Sequence, residues 1–382
     1  MNLAKIRSLC AFNVKDDVLL TDFYCCNGEN AEEYYSDIVN ILLSGGQTLG
    51  EYLHDLLVYS DSPVIERCLR ERAPALMKAI EYDLGVIKEL VSLTSEQLRE
   101  SLPENEILRG MPPYDNGKFD YDAEYFLDFA KKNGTGIFAK YRAFSYDGEL
   151  KPIMKTDSIR LCDLKNYQVQ RNQVIENTLC FLHNQPAQNV LLYGDRGTGK
   201  SSTVKAIFNE YKELRMVEVS RNDINALPEL FELLGKVDMK FIVTIDDLSF
   251  AENDDRFGVL KAALDGSLSS RPDNILIYAT TNRRKIIRET AADREISGSD
   301  AIDESMSLSD RFGLFVTFMR PDKQVYLDIV KQLADESGID IPEERLFTAA
   351  ERFSTRRGGR SPRIAKQFVG WLKGRIELNL EY

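Results

Sequence analysis

The chain has 382 residues, 43% of them hydrophobic, and a net charge of −12. That length suggests two or three domains with sizeable cores, and no stretch approaches the ~18 to 20 apolar residues of a membrane helix. Six cysteines without a C-x-x-C spacing and two histidines exclude the usual zinc frameworks.

Residues 8–14 are too short and too polar for a signal-peptide core, so a cytoplasmic protein without membrane contact is expected. Residues 1–150 hold 15 Lys+Arg against 26 Asp+Glu, and residues 151–382 hold 34 against 35. An acidic front and a near-neutral back do not favour nucleic acid as a partner, because non-specific binding rests on neutralising phosphates.

Residues 1–110 read as a helical N-terminal domain. Ile38, Leu42 and Leu43 lead to a break at Gly45-Gly46. Leu49, Leu53, Leu56 and Leu57, then Leu76, Ile80, Leu84, Ile87 and Leu90, recur at helical spacing. Ser95, Leu98 and Leu102 ahead of Pro103 predict a short capped helix. This domain shows no catalytic constellation, which leaves packing or partner binding as its expected role.

Residues 111–155 read as a linker packed onto the next domain. They combine turn chemistry at 111–117, an aromatic helical stripe at Tyr121, Tyr125, Phe126 and Phe129, and a stop at Asn133-Gly134-Thr135-Gly136.

Strands and helices then alternate over 156–320. Strands are expected at 190–193, 216–219, 240–245, 274–278 and 314–318, with helices between them, which predicts an α/β core with a parallel five-stranded sheet covered on both faces. Residues 321–382 hold only helices, about 322–337, 342–353 and 361–378, and form a small helical lid.

The first core strand runs into Gly194-Asp195-Arg196-Gly197-Thr198-Gly199-Lys200-Ser201-Ser202, which satisfies G-x-x-x-x-G-K-[ST] between an apolar strand and a helix. Glycines let the backbone turn its N–H groups toward a polyphosphate, and the helix N-terminus adds positive potential. Lys200 supplies a point charge and the Ser201 hydroxyl a magnesium ligand. The third strand ends in Asp246-Asp247, where a P-loop NTPase places its second metal carboxylate. Asp246 would hold the metal and Asp247 would act as base or water-orienting group; a helix N-cap is the competing reading for Asp247.

These segments stand in order with Thr280-Thr281-Asn282, Ser309-Asp310-Arg311-Phe312 and Ser361-Pro362-Arg363. The set resembles AAA+ ATPases, and more narrowly a bacterial group of AAA+-type ATP-binding proteins, over about residues 150–382. The resemblance implies a three-layer P-loop AAA+ core with ATP and Mg2+ bound between core and lid. It gives Asn282 the task of orienting the attacking water. It makes Arg311 an arginine finger that reaches a neighbouring subunit, with an ion pair to Asp310 as the alternative. Arg363 becomes the lid arginine, with Arg360 its rival, and Leu164 and Tyr167 become adenine contacts.

A homo-oligomer with ATP at subunit interfaces follows from that assignment, with a protein partner held by the N-terminal domain and remodelled by ATP hydrolysis. One departure bears on rate: most AAA+ hydrolases have Asp-Glu where this chain has Asp246-Asp247. The alternative is a nucleotide-controlled loader or adaptor with little turnover, whose routes to nucleic acid would be the basic clusters Arg283-Arg284-Lys285-Arg288 and Arg356-Arg357-Arg360-Arg363-Lys366.

Overall fold

Thr48 accepts the backbone N–H of Glu51, and Glu51 in turn accepts that of Thr48 at 2.9 Å, which starts a helix without outside help. Self-capped helices of this kind build the first of two compact units, Met1–Tyr141 and Arg142–Tyr382. The computed structural model describes residues 2–26, 30–102, 106–250, 254–265, 272–282 and 311–381.

Among the described residues the first unit contains α1 (Val18–Cys25), α2 (Ala31–Gly45), α3 (Leu49–Val58), α4 (Pro63–Glu71), α5 (Pro74–Ser92), α6 (Ser95–Ser101), α7 (Glu106–Gly110), α8 (Ala123–Asn133) and α9 (Gly136–Lys140). Gly46, at φ +63°, ends α2 at the expected break. Prolines open α4 and α5, where a missing N–H costs nothing. The cap of α6 is Thr94, with Gln97 completing its box.

The core of this unit gathers Phe23, Tyr35, Ile38, Leu53, Ile87 and Leu90. Beneath it the fully buried Asp83 accepts backbone N–H groups from Cys10 at 2.9 Å, Ala11 at 2.7 Å and Phe12 at 3.0 Å. Charge-assisted bonds of that kind anchor the N-terminal segment to α5.

The expected linker is not found. Phe126 and Leu127 of α8 are buried in the first unit's core, since an aromatic stripe at helical spacing has much area to hide. Residues 143–152, assigned to the same linker, belong instead to the sheet of the second unit.

That sheet contains β1 (Ala143–Tyr146), β2 (Leu150–Pro152), β3 (Val190–Gly194), β4 (Leu214–Val219), β5 (Lys240–Ile245), β6 (Ile275–Thr281) and β7 (Leu314–Phe318). Its order is β2-β1-β4-β5-β6-β3-β7. The five expected strands are β3 to β7, each parallel to its neighbours. β1 extends them in parallel beside β4, and β2 folds back antiparallel on β1, so the sheet has seven strands instead of five.

Helices α10 (Gln168–Leu182), α11 (Lys200–Glu210), α12 (Leu227–Gly235) and α13 (Asp255–Asp265) follow the strands. Val174 and Phe181 of α10 and Val204, Ile207 and Phe208 of α11 cover one face. Every residue of β6 is buried, as a central strand covered on both sides must be.

Arg142 opens the second unit by donating to the carbonyls of Phe208 and Tyr211, both at 2.7 Å, with its guanidinium 4.4 Å from the Phe208 ring. A cation there complements the negative C-terminal end of α11. The lid is α14 (Lys323–Glu336), α15 (Glu343–Arg356) and α16 (Pro362–Glu377), within two or three residues of expectation. Tyr326, Val330, Leu346, Ala350, Phe368 and Leu372 form its core.

Candidate functional site

β3 delivers the chain to Gly194 at φ +143°, where a Cβ would lie 1.9 Å from the Phe318 carbonyl oxygen of β7. Only glycine fits between the two strands there. Gly197 and Gly199, at φ +78° and +100°, complete a loop in the left-handed region that side chains rarely adopt. Gly199 is the N-cap of α11, and no side chain caps that terminus. The first-turn N–H groups are thus left for a ligand at the positive end of the helix.

Lys200 reaches back under the loop. Its Nζ donates to the carbonyls of Gly194 at 2.7 Å and Asp195 at 2.9 Å, and to Asn282 Oδ1 at 2.8 Å. Burial lowers its pKa to about 8, against the opposing pull of Asp246, Asp195 and Asp247. Asn282 hands the chain of bonds on, donating from Nδ2 to Asp247 Oδ1 at 2.7 Å.

Asp246 Oδ1 accepts the Ser201 hydroxyl at 2.6 Å and also the Thr280 hydroxyl. Asp247 sits at φ +52°, an unusual backbone for a non-glycine residue, held by its N–H to Thr280 Oγ1 at 3.1 Å and by Leu248 N–H to the Thr280 carbonyl at 2.7 Å. Ser201, Asp246, Asp247 and Asn282, together with the loop from Arg196 to Ser202, line one cavity of about 760 Å3. That volume suits a nucleotide-sized ligand.

Two other segments also line the cavity. Leu164 and Tyr167 line it. Tyr167 is buried, donates to the Met319 carbonyl at 2.5 Å and packs 5.2 Å from the Phe318 ring, so it forms a wall and not a free stacking face. From the lid, Arg363 and Lys366 face the loop, and the Arg363 N–H bonds the Gly197 carbonyl at 3.2 Å. Arg360, the rival, is held by Glu351 through two bonds of 2.9 and 2.8 Å and does not line the cavity.

The family described as "Protein of unknown function (DUF815)" matches residues 138–376, more than half of the chain. The chain belongs to the DUF815 family. This DUF815 protein has an AAA+ P-loop core, in agreement with the resemblance read from its motifs. A probable spastin homologue from Brugia malayi is 24% identical over 160 residues, 35% of this chain and 35% of its own length. The chromosomal replication initiator protein DnaA of Oenococcus oeni is 24% identical over 201 residues, 48% of this chain and 41% of its own. The DUF815 chain therefore spans well under two thirds of these curated relatives. The Thermotoga maritima RuvB Holliday junction branch migration motor superposes with a TM-score of 0.40 and 16% identity, over 58% of this chain and 66% of that one.

Several expected residues stand apart in the DUF815 site. Gly194 and Asp195 are not on the cavity wall: their carbonyls serve Lys200, and Asp195 Oδ2 accepts the Arg320 N–H at 2.9 Å. Arg311 does not line the cavity either. Ser309, Asp310 and the cluster at Arg283, Arg284, Lys285 and Arg288 lie outside the described residues.

Other residues were not anticipated in the site. Thr280 braces both aspartates, and it lay within the quoted Thr280-Thr281-Asn282 run without an assigned role. Asp157, Ser158 and Ile159 line the cavity as a strap, pinned by Asn209 Nδ2 to the carbonyls of Asp157 at 2.7 Å and Ile159 at 2.8 Å. Lys165 meets Glu336 of α14 at 2.5 Å beside the cavity. An asparagine in mid-helix carries no sequence signal for that task.

Proposed function

We propose that this protein binds Mg-ATP in the cavity between core and lid and hydrolyses it to ADP and phosphate, driving conformational change in a partner. The observation that carries this reading is the convergence of Lys200, Ser201, Asp246, Asp247, Asn282 and Arg363 on one cavity at an uncapped helix N-terminus. Backbone N–H groups of 196–201 and the Lys200 ammonium would take the phosphates. A hydroxyl and a carboxylate 2.6 Å apart are hard oxygen donors, and they suit a magnesium ion that completes its shell with phosphate oxygens and water.

When bound, magnesium neutralises charge on the transferred phosphoryl group. Asp247 is the group that would take a proton from, or orient, the attacking water, and Asn282 would position both. Arg311 is assigned to a neighbouring subunit's site, which makes a homo-oligomer part of the proposal. The first unit would then hold the protein partner.

A second reading, a nucleotide-controlled adaptor with slow turnover, is favoured by one observation. Asn282 already satisfies Asp247 while also receiving Lys200. Phosphate release distinguishes the two. Asp247→Asn should lower it about 100-fold, the scale for a misplaced catalytic group, and Asp247→Glu should raise it if reach limits the rate. Equal release by wild type, Asp247→Asn and Lys200→Ala would falsify hydrolysis.

A further inference from the structure

Charge is segregated within the lid far more than in the chain as a whole. Residues 322–344 hold two Lys+Arg against seven Asp+Glu, and residues 345–376 hold nine against one. The single acid of the second group, Glu351, is already paired with Arg360 at 2.8 Å and with Lys323 at 3.8 Å. The basic cluster is divided: Arg363 and Lys366 line the cavity, Arg360 is bonded to Glu351, and Arg356 and Arg357 do not line the cavity.

Arg345, Arg352 and Arg356 of α15 are spaced i, i+7 and i+11, which on a helix of 3.6 residues per turn places them within about 40° of one another over about 16 Å. All three are exposed, and among the described residues none pairs with a carboxylate. Three guanidiniums along one stripe with no carboxylate partner offer repeated positive charge that a polyanion can meet.

An aromatic ladder borders that stripe. The Arg357 guanidinium lies 5.5 Å from the Phe353 ring, Phe353 lies 5.5 Å from Trp371 of α16, and Arg375 lies 5.2 Å from Trp371. Trp371, the only tryptophan of the chain, remains 39% exposed. A strand of nucleic acid uses both features, meeting the arginines through its phosphates and the indole through its bases, whereas an acidic polypeptide matches the arginines by charge alone and serves as the competitor in the test. Arginine in preference to lysine also favours phosphate, which it meets bidentately.

We propose that the exposed face of α15 and α16, with Arg345, Arg352, Arg356 and Trp371 at its centre, binds single-stranded nucleic acid. The phosphates lie along the arginine stripe and a base lies against the Trp371 edge of the ladder. This surface is separate from the nucleotide cavity, so its failure and the failure of ATP binding are distinguishable.

The test is fluorescence anisotropy of a labelled mixed-sequence oligodeoxynucleotide titrated with the full chain over a range of salt. Single-strand binding loses slope with each phosphate contact at roughly 0.7 per cation, so Arg345→Gln/Arg352→Gln/Arg356→Gln should flatten the log K against log salt plot by about 2. Trp371→Ala should weaken binding roughly 5- to 100-fold, and Trp371→Phe should restore most of it. ATP binding, measured in the same variants, should stay at the wild-type value and so certifies that they are folded. Absence of an anisotropy change at low salt overturns the proposal. So does tighter binding to duplex, to polyglutamate or to phosphatidylserine vesicles than to the single strand, and so does an unaltered salt slope in the triple variant.

Discussion

The two units use their buried polar groups differently. In Met1–Tyr141 the fully buried Asp83 accepts three successive backbone N–H groups, and the buried Ser62 caps α4 while donating to the Ala11 carbonyl. Those side chains are consumed in holding the chain together. In Arg142–Tyr382 the buried Lys200 donates to the Asn282 amide oxygen and the buried Thr280 to the Asp246 carboxylate, and both of those partners line a cavity. A polar group that braces another polar group facing open space is the mark of a site; one that braces only backbone is the mark of a scaffold.

Substitutions can break that division. Lys200→Ala should reduce ATP binding and phosphate release at least ~100-fold, with little change in thermal stability, as isothermal calorimetry and a thermal melt would read. Asp83→Ala should do the reverse. It leaves three N–H groups without their acceptor and should destabilise the first unit by roughly 3 to 5 kcal/mol, with ATP affinity unchanged; a large loss of affinity there would end the distinction.

The next effect is smaller and depends on pH. Lys200 has its pKa lowered by burial to about 8, and bound phosphate would raise it again, so binding takes up a proton above pH 8. Affinity should therefore fall as pH rises through that value, approaching about tenfold per unit, and calorimetry in buffers of different ionisation enthalpy should register the uptake. For folding the sign is opposite. The native state binds fewer protons than the unfolded chain between the lowered value and 10.5, so this group's contribution to stability grows with pH over that window. Smallest of all, Asn209→Ala should free the strap at Asp157–Ile159 and weaken ATP binding by about 3- to 10-fold, the scale of one lost hydrogen-bonding side chain, with phosphate release at saturating ATP unchanged.

Strands β3 to β7 were legible because each is a short apolar run placed before or after a helical period, and the P-loop because its glycines, lysine and serine must stand at fixed intervals. β1 and β2 were not read, although Asp147-Gly148 between them is a hairpin signal, with Gly148 at φ +101°. Their four and three residues gave too little periodicity beside the aromatic stripe just before them. That stripe was read as aromatic and helical, but its destination, the first unit's core and not the next domain, depends on tertiary packing that spacing does not encode. Of the residues that line the cavity, Asp246 and Asp247 stand out as the acidic end of an apolar strand, while Asn282 and Arg363 are singled out only by the AAA+ resemblance. Thr280 and Asn209 escaped because a bracing hydroxyl or amide has no spacing of its own; its meaning comes from which carboxylate or carbonyl the fold brings to it.

Arg142 has a practical corollary for dissecting the chain. Its guanidinium bonds the carbonyls of Phe208, Tyr211 and Leu214, so the first residue of the second unit grips the far end of the helix that begins at Lys200. A truncated protein that starts at or before Arg142 keeps that grip, whereas one that starts a single residue later takes the guanidinium away from the carbonyls of Phe208, Tyr211 and Leu214. The cut that looks cleanest on a domain map, just inside the first strand, is thus the one to avoid, and the family match beginning at residue 138 already falls on the safe side of it.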